Sequence, residues 1–309
     1  MGDAEGYGLP PGFEPAAPRM TSNQSLLAGI GLTVVAGATF AGMDALGKHL
    51  TTLVPVLQVI WGRYFVQTVL MTGYLATTTG TGFLRTAHPV LQILRGIMLL
   101  ASTGLMYTAL THVPLADATA VLFFTPIVVT LLSVLVLRET IGLHRIGAIV
   151  AGFAGMLLIL RPGFGAIHPA LGLALAASVT NAIYLMLTRH LAGREDAAST
   201  QFNTTAAGAL ILTLLVVPVW QTPAPSTLAL MLAIGVVGTI GHFTLVRAFA
   251  SAPASLLSPF LYSQVLTAAV LSLAVFGDPL RGTTILGTLV LVASGVTIWW
   301  RENRRRLAA

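Results

Sequence analysis

The 309-residue chain contains no cysteine, which excludes disulfides and cysteine metal ligands without identifying a compartment. Charge is nearly as scarce. Asp, Glu, Lys and Arg make up 8% of the residues, against roughly a quarter in a soluble domain, so the chain cannot cover itself against water. Acids are the rarer sign, ten against sixteen bases, and Asp44 alone lies well inside an apolar run. There is no HExxH motif, no pair of intramembrane aspartates and no Ser–His–acid set at one depth. Those absences leave an intramembrane enzyme as a remote alternative, and no metal or cofactor is expected.

What fills the sequence is apolar. Hydrophobic residues are 55% of the chain, mean hydropathy is +0.86, and runs of about 20 residues recur, the length that crosses a bilayer as a helix. The reading is an all-α, polytopic membrane protein with ten transmembrane helices. They fall at about 26–48, 55–77, 89–111, 114–137, 143–161, 168–188, 203–220, 226–248, 254–276 and 282–300. The net charge of +6 lies between these runs rather than on one soluble face. It therefore reads as topology-setting charge, with the bilayer as partner and no nucleic acid. A monomer or homodimer is expected.

Residues 1–24 are rich in Gly and Pro, and no apolar run follows a basic segment there. They read as a disordered tail rather than a cleavable signal peptide, with Met20 as an alternative start. Residues 302–309 read as a basic cytoplasmic tail; Arg301, Arg304, Arg305 and Arg306 suit anionic lipid.

The chain also repeats itself. The segment Pro114–Arg161 returns as Pro253–Arg301: Pro114 answers Pro253, Ser133 answers Ser272, and Glu139 answers Asp278. Further on, Gly147 answers Gly287 and Gly155 answers Gly295. Upstream, Lys48–His49–Leu50 answers Arg189–His190–Leu191. Two copies of one unit follow, at 26–161 and 168–301. With the N-terminus inside, twelve of the sixteen basic residues flank the cytoplasmic side. Lys48, Arg161 and Arg281 flank the other, and Arg63 lies within a span. Five spans per unit is an odd number, so the second unit is inverted relative to the first. Both termini are then cytoplasmic, and a binding site is expected at the midplane between repeats.

On DALGKHL (44–50), WGRYFVQ (61–67), the stretch 95–132, RPG (161–163) and SPFLYSQ (258–264), the chain resembles the drug/metabolite transporter superfamily. Within it, the ten-helix EamA-like (rhamnose-transporter-like) group is closest, near the S-adenosylmethionine uptake-like subgroup. The resemblance implies a central cavity lined by spans 1, 3, 4, 6, 8 and 9. One departure is Leu261, where similar proteins often carry an acid.

Counting 1.5 Å of rise per residue puts Phe123, Phe124, Pro126, Asn181 and Tyr184 near mid-bilayer, with Tyr262 and Gln264 close by. With Phe40 and His242, these residues (Pro126 aside) form the candidate substrate site. Aromatic faces would stack a planar or cationic group, and His242 is a candidate proton relay. Pro126 and Pro259 occupy related spans and free the carbonyls of Leu122 and Ser255. Asp44 has two readings: a salt bridge with Lys48 or Arg63, or a coupling or substrate role with Arg63 beside it. Arg95, near a span end, reads as snorkelling to the cytoplasmic face. Gly147, Ala148, Ala151, Gly152 and Gly155 offer a small-residue packing face.

The function expected is a secondary transporter in the inner membrane, moving a small metabolite such as an amino acid or S-adenosylmethionine-like solute by alternating access. The alternative is an exporter of amines or drugs driven by proton antiport. A scaffold or receptor would not need matched proline-broken spans in inverted copies.

Overall fold

A computed structural model describes residues 23–137, 143–160, 168–191, 194–252 and 257–308. The leading tail up to residue 22, the Arg138–Glu139 turn, the RPG segment with Arg161, and Pro253 with Ser255 lie outside the described residues. The helices are α1 (Asn23–Leu50), α2 (Val56–Thr78), α3 (Pro89–Leu110), α4 (Leu115–Leu122), α5 (Thr125–Leu137) and α6 (Leu143–Leu160). After them come α7 (Ala170–Leu191), α8 (Ala197–Val216), α9 (Pro225–Ser251), α10 (Ser263–Phe276) and α11 (Gly282–Ala308). Among the described residues there is no strand.

Proline sets several boundaries. Pro89 and Pro225 stand at the first helical position, where a missing N–H costs nothing. Within the expected fourth span the helix breaks at Phe123–Phe124, just before Pro126. A 3-10 turn over Ser258–Tyr262, holding Pro259, precedes α10. Pro126 and Pro259 thus both sit beside a departure from α-helix. At the other end of the chain, α11 continues to Ala308, so the expected basic tail is helical in its backbone.

Seven segments among the described residues are long and apolar enough to cross a bilayer: 24–50, 89–110, 115–132, 170–191, 198–219, 225–251 and 259–276. Two shorter apolar stretches occupy 146–160 and 282–297. The chain is a multi-pass membrane protein. Large apolar side chains such as Val69, Val150, Leu214 and Leu266 face outward, as lipid-facing residues must.

Helices from the two halves interleave. The closest packings are α1 on α9, α3 on α7, α6 on α11 and α2 on α8, with α4 also against α10. Polar ties close both ends of the bundle. At one end Lys48 Nζ meets Asp278 Oδ2 at 2.7 Å, and Ser272 Oγ donates to the same oxygen at 3.1 Å. Lys48 is therefore not the partner of Asp44. At the other end Glu195 accepts from the Thr86 hydroxyl (2.9 Å) and the His88 backbone N–H (2.7 Å) and meets His88 Nδ1 at 2.9 Å. Burial pushes the Glu195 carboxyl up, but these bonds and the Ala87 N–H outweigh it and hold the group below the ordinary glutamate range.

Arg95 corrects a second expectation. Instead of snorkelling it is only 1% exposed. Its Nη2 contacts the Thr200 carbonyl and the Thr204 hydroxyl, and its guanidinium carbon lies 5.6 Å from the centroid of the Tyr184 ring. The residue faces the α3–α7–α8 seam, so its guanidinium pins three helices together.

Candidate functional site

A cavity of about 140 Å³ opens among α1, α2, α3, α4, α7, α9 and α10. Two glycines shape its walls by letting aromatics approach closely. A Cβ on Gly47 would sit 2.7 Å from the Tyr107 ring, and one on Gly241 would sit 2.8 Å from the Phe40 ring. With hydrogen there instead, Tyr107 lies against α1 and its hydroxyl accepts from Arg63 Nη1 at 3.3 Å. Phe40 likewise reaches His242, ring centroids 5.0 Å apart in an edge-on arrangement.

Charge in this cavity comes from α1 and α2. Asp44 is 5% exposed and Arg63 8%. Asp44 Oδ2 accepts from Gln264 Nε2 at 3.1 Å, so a side chain of α10 fixes the acid of α1. The Arg63 guanidinium carbon lies 5.8 and 5.7 Å from the Tyr64 and Tyr107 ring centroids, while its Nε has no hydrogen-bond partner. Both charged groups line the cavity, yet no N–O distance within 4.0 Å joins them.

The break between α4 and α5 supplies another wall. Leu122, whose carbonyl is freed by Pro126, lines the cavity, but Thr125 Oγ1 lies 2.6 Å from that carbonyl and takes up its acceptor. Asn181 Nδ2 reaches the same Thr125 oxygen at 3.5 Å, which ties α7 to the break. The freed carbonyl is thus satisfied internally, and the polar group nearest the cavity there is the Asn181 amide.

Of the residues expected at the site, Phe40, Asp44, Arg63, Asn181, His242 and Gln264 share this cavity. Four others stand outside its lining. Phe123 packs on Tyr262 with centroids 5.3 Å apart, and Phe124 is buried against Phe153. Tyr184 lies under Arg95, and the Tyr262 hydroxyl is directed onto Gly295. The lining also includes Met43, Leu99, Ser102, Thr103, Met106 and Tyr107, which depth counting did not single out. Arrangements of this kind bind a small solute: mostly apolar walls with a few convergent polar groups.

The chain is similar to known transporters. The model of the EamA-like transporter family matches twice, over residues 27–161 and 168–300. An S-adenosylmethionine uptake transporter of Rickettsia prowazekii is 24% identical over 261 residues, covering 84% of this chain and 88% of that protein. A riboflavin transporter of Vibrio cholerae is 27% identical, covering 88% and 94%. A pseudopaline exporter of Pseudomonas aeruginosa is also 27% identical, covering 88% and 96%. A solved crystal structure at 21% identity superposes with a TM-score of 0.61, over 89% of this chain and 95% of its own, and so shares the fold.

Proposed function

The chain belongs to the EamA-like transporter family, and from that membership we propose a secondary carrier that moves a small organic metabolite through the Asp44–Arg63 cavity by alternating access. That it is an EamA-type transporter of small metabolites follows from the family and from the similarity to named transporters. The finer reading has the solute an amino acid or an S-adenosylmethionine-like compound, carried across the inner membrane. The single observation behind it is the cavity itself, where buried charge and amide groups from both copies converge beside the proline-broken α4–α5.

The proposed architecture is ten spans in two inverted repeats, which adds α2, α6 and α11 to the seven long apolar segments. The packing pattern supports it. Exchanging the copies turns α1 on α9 into α7 on α3 and α1 on α10 into α7 on α5, and it leaves α2 on α8 and α6 on α11 unchanged. Two-fold-related units have that property, and an odd number of spans per unit inverts the second. Reporter fusions after Gly80 and Arg306 are expected to report cytoplasm, and one after Pro223 the opposite side. A cytoplasmic signal from the Pro223 fusion would break the inverted arrangement.

Counterflow into proteoliposomes tests the carrier reading. Vesicles loaded with S-adenosylmethionine, an amino-acid mixture or riboflavin are expected to accumulate the matching labelled solute in at least one case. Asn181→Ala removes one hydrogen bond from the cavity and should raise the half-saturating concentration by up to about tenfold. Val69→Ala, on the outward face, should leave it unchanged. An Asn181→Ala protein indistinguishable from wild type would move the site elsewhere.

A further inference from the structure

Two opposite charges buried in one cavity would ordinarily pair, because a charge left alone in a membrane bundle is costly. Here they are held apart. Gln264 fixes Asp44 from α10, and Tyr107 fixes Arg63 from α3. Each feels the other's charge, yet neither bonds the other. Among the described residues no further side chain donates to Asp44, and Arg63 Nε is unpartnered although the residue is more than nine-tenths buried. Both line the same cavity.

We infer that this cavity receives a zwitterionic head group, with its carboxylate on Arg63 and its ammonium on Asp44. The inference rests on the carrier reading above and names the substrate chemistry of that site. A guanidinium presents a planar fork suited to a carboxylate, and a carboxylate accepts from an ammonium, so both buried charges gain the partner they lack. The cavity of about 140 Å³ has room for an α-amino-acid head group, which has five heavy atoms: nitrogen, Cα, the carboxyl carbon and two oxygens. Around it Met43, Leu99, Met106 and Leu122 offer only apolar contact, and the Phe40–His242 pair closes one side. A neutral solute would leave each charge without a bonded charged partner.

Titration calorimetry of the full-length protein tests this with the α-amino acids and S-adenosylmethionine as probes. Each binder is compared with its methyl ester, which lacks the carboxylate, and its N-acetyl derivative, which lacks the ammonium. Wild type is expected to lose at least about tenfold in affinity for either derivative. The variants should split the effect. Arg63→Gln should bind acid and ester alike while still rejecting the N-acetyl form, and Asp44→Asn should do the reverse. A merely structural role cannot produce that crossed pattern. If Arg63→Gln does not fold, Arg63→Lys carries the arm and should keep the preference for acid over ester; losing it overturns the assignment. Equal weakening of all three forms by both variants also overturns it. Riboflavin binding with no zwitterion bound overturns it too, while the carrier reading stands. Absence of counterflow for every solute removes the carrier reading and this inference together.

Discussion

Oxidising a variant that carries both Gly37→Cys and Ser263→Cys is expected to cut transport at least about tenfold, and a reductant should restore it. The chain has no cysteine of its own, so the introduced pair meets no competing thiol. A Cβ built on Gly37 would lie 3.5 Å from the Cβ of Ser263, at the near edge of the roughly 3.5–4.5 Å that a disulfide spans. The two positions also sit where a tie should matter. Gly37 lies one turn before Phe40 on α1, and Ser263 immediately precedes Gln264 on α10; both neighbours line the cavity. The two helices come from different copies, and on the alternating-access reading copies must shift against each other around the bound solute. A Cβ at position 37 also comes 3.0 Å from the Gln264 nitrogen, so the reduced double variant, with whatever flux it keeps, is the reference that separates cross-linking from damage. Full transport by the oxidised double variant would mean that α1 and α10 travel as one body.

Much of this could be read from the residues, and the failures share one cause. Counting along an apolar run gives depth. It does not give the side of the helix that faces the bundle. Asn181, Gln264, Asp44 and Arg63 were legible because a polar group at depth must face protein rather than lipid, whatever the angle. Aromatics carry no such constraint. Phe124, Tyr184 and Tyr262 point into helix seams, Tyr262 against the bare surface of Gly295. Tyr107 escaped notice for the opposite reason: it lies three residues from the end of α3, too shallow by counting, and it reaches Arg63 only because Gly47 has no side chain.

The two ionic misreadings are also about direction. Lys48 follows Asp44 by one helical turn, so local spacing pairs them. In the fold Asp44 faces the cavity, and Lys48 finds Asp278, 230 residues away, with the Phe276 ring beside it. Arg95 is near a helix end, where a long side chain can reach water. Its helix presents it instead to α7 and α8, where carbonyl and hydroxyl oxygens take up the guanidinium. Pro126 and Pro259 could be read as helix interrupters because that follows from the chain alone.

The same limit of direction makes the small-residue face of α6 a sharp test. By sequence Gly147 and Gly155 belong to one packing surface, two turns apart. The structure separates them. A Cβ on Gly155 would sit 2.8 Å from the Gly287 carbonyl oxygen and 3.1 Å from the Leu291 nitrogen on α11, whereas one on Gly147 meets nothing within 4 Å. Gly287 is reciprocally placed, its Cβ position 2.5 Å from the Gly155 carbonyl oxygen. Backbone cannot yield as a side-chain tip can, so the helices must part. With lipid as apolar as the bundle interior, helix association depends on such close backbone contact rather than on hiding apolar surface. Gly155→Ile and Gly287→Ile are therefore each expected to cost about 3 kcal/mol, the upper part of the overpacking range, with loss of most monodisperse protein on size exclusion. Gly147→Ile makes the same chemical change on the same helix and should elute and melt like wild type. If all three behave alike, the α6–α11 contact does not hold the bundle together, and helix propensity or insertion decides the outcome instead.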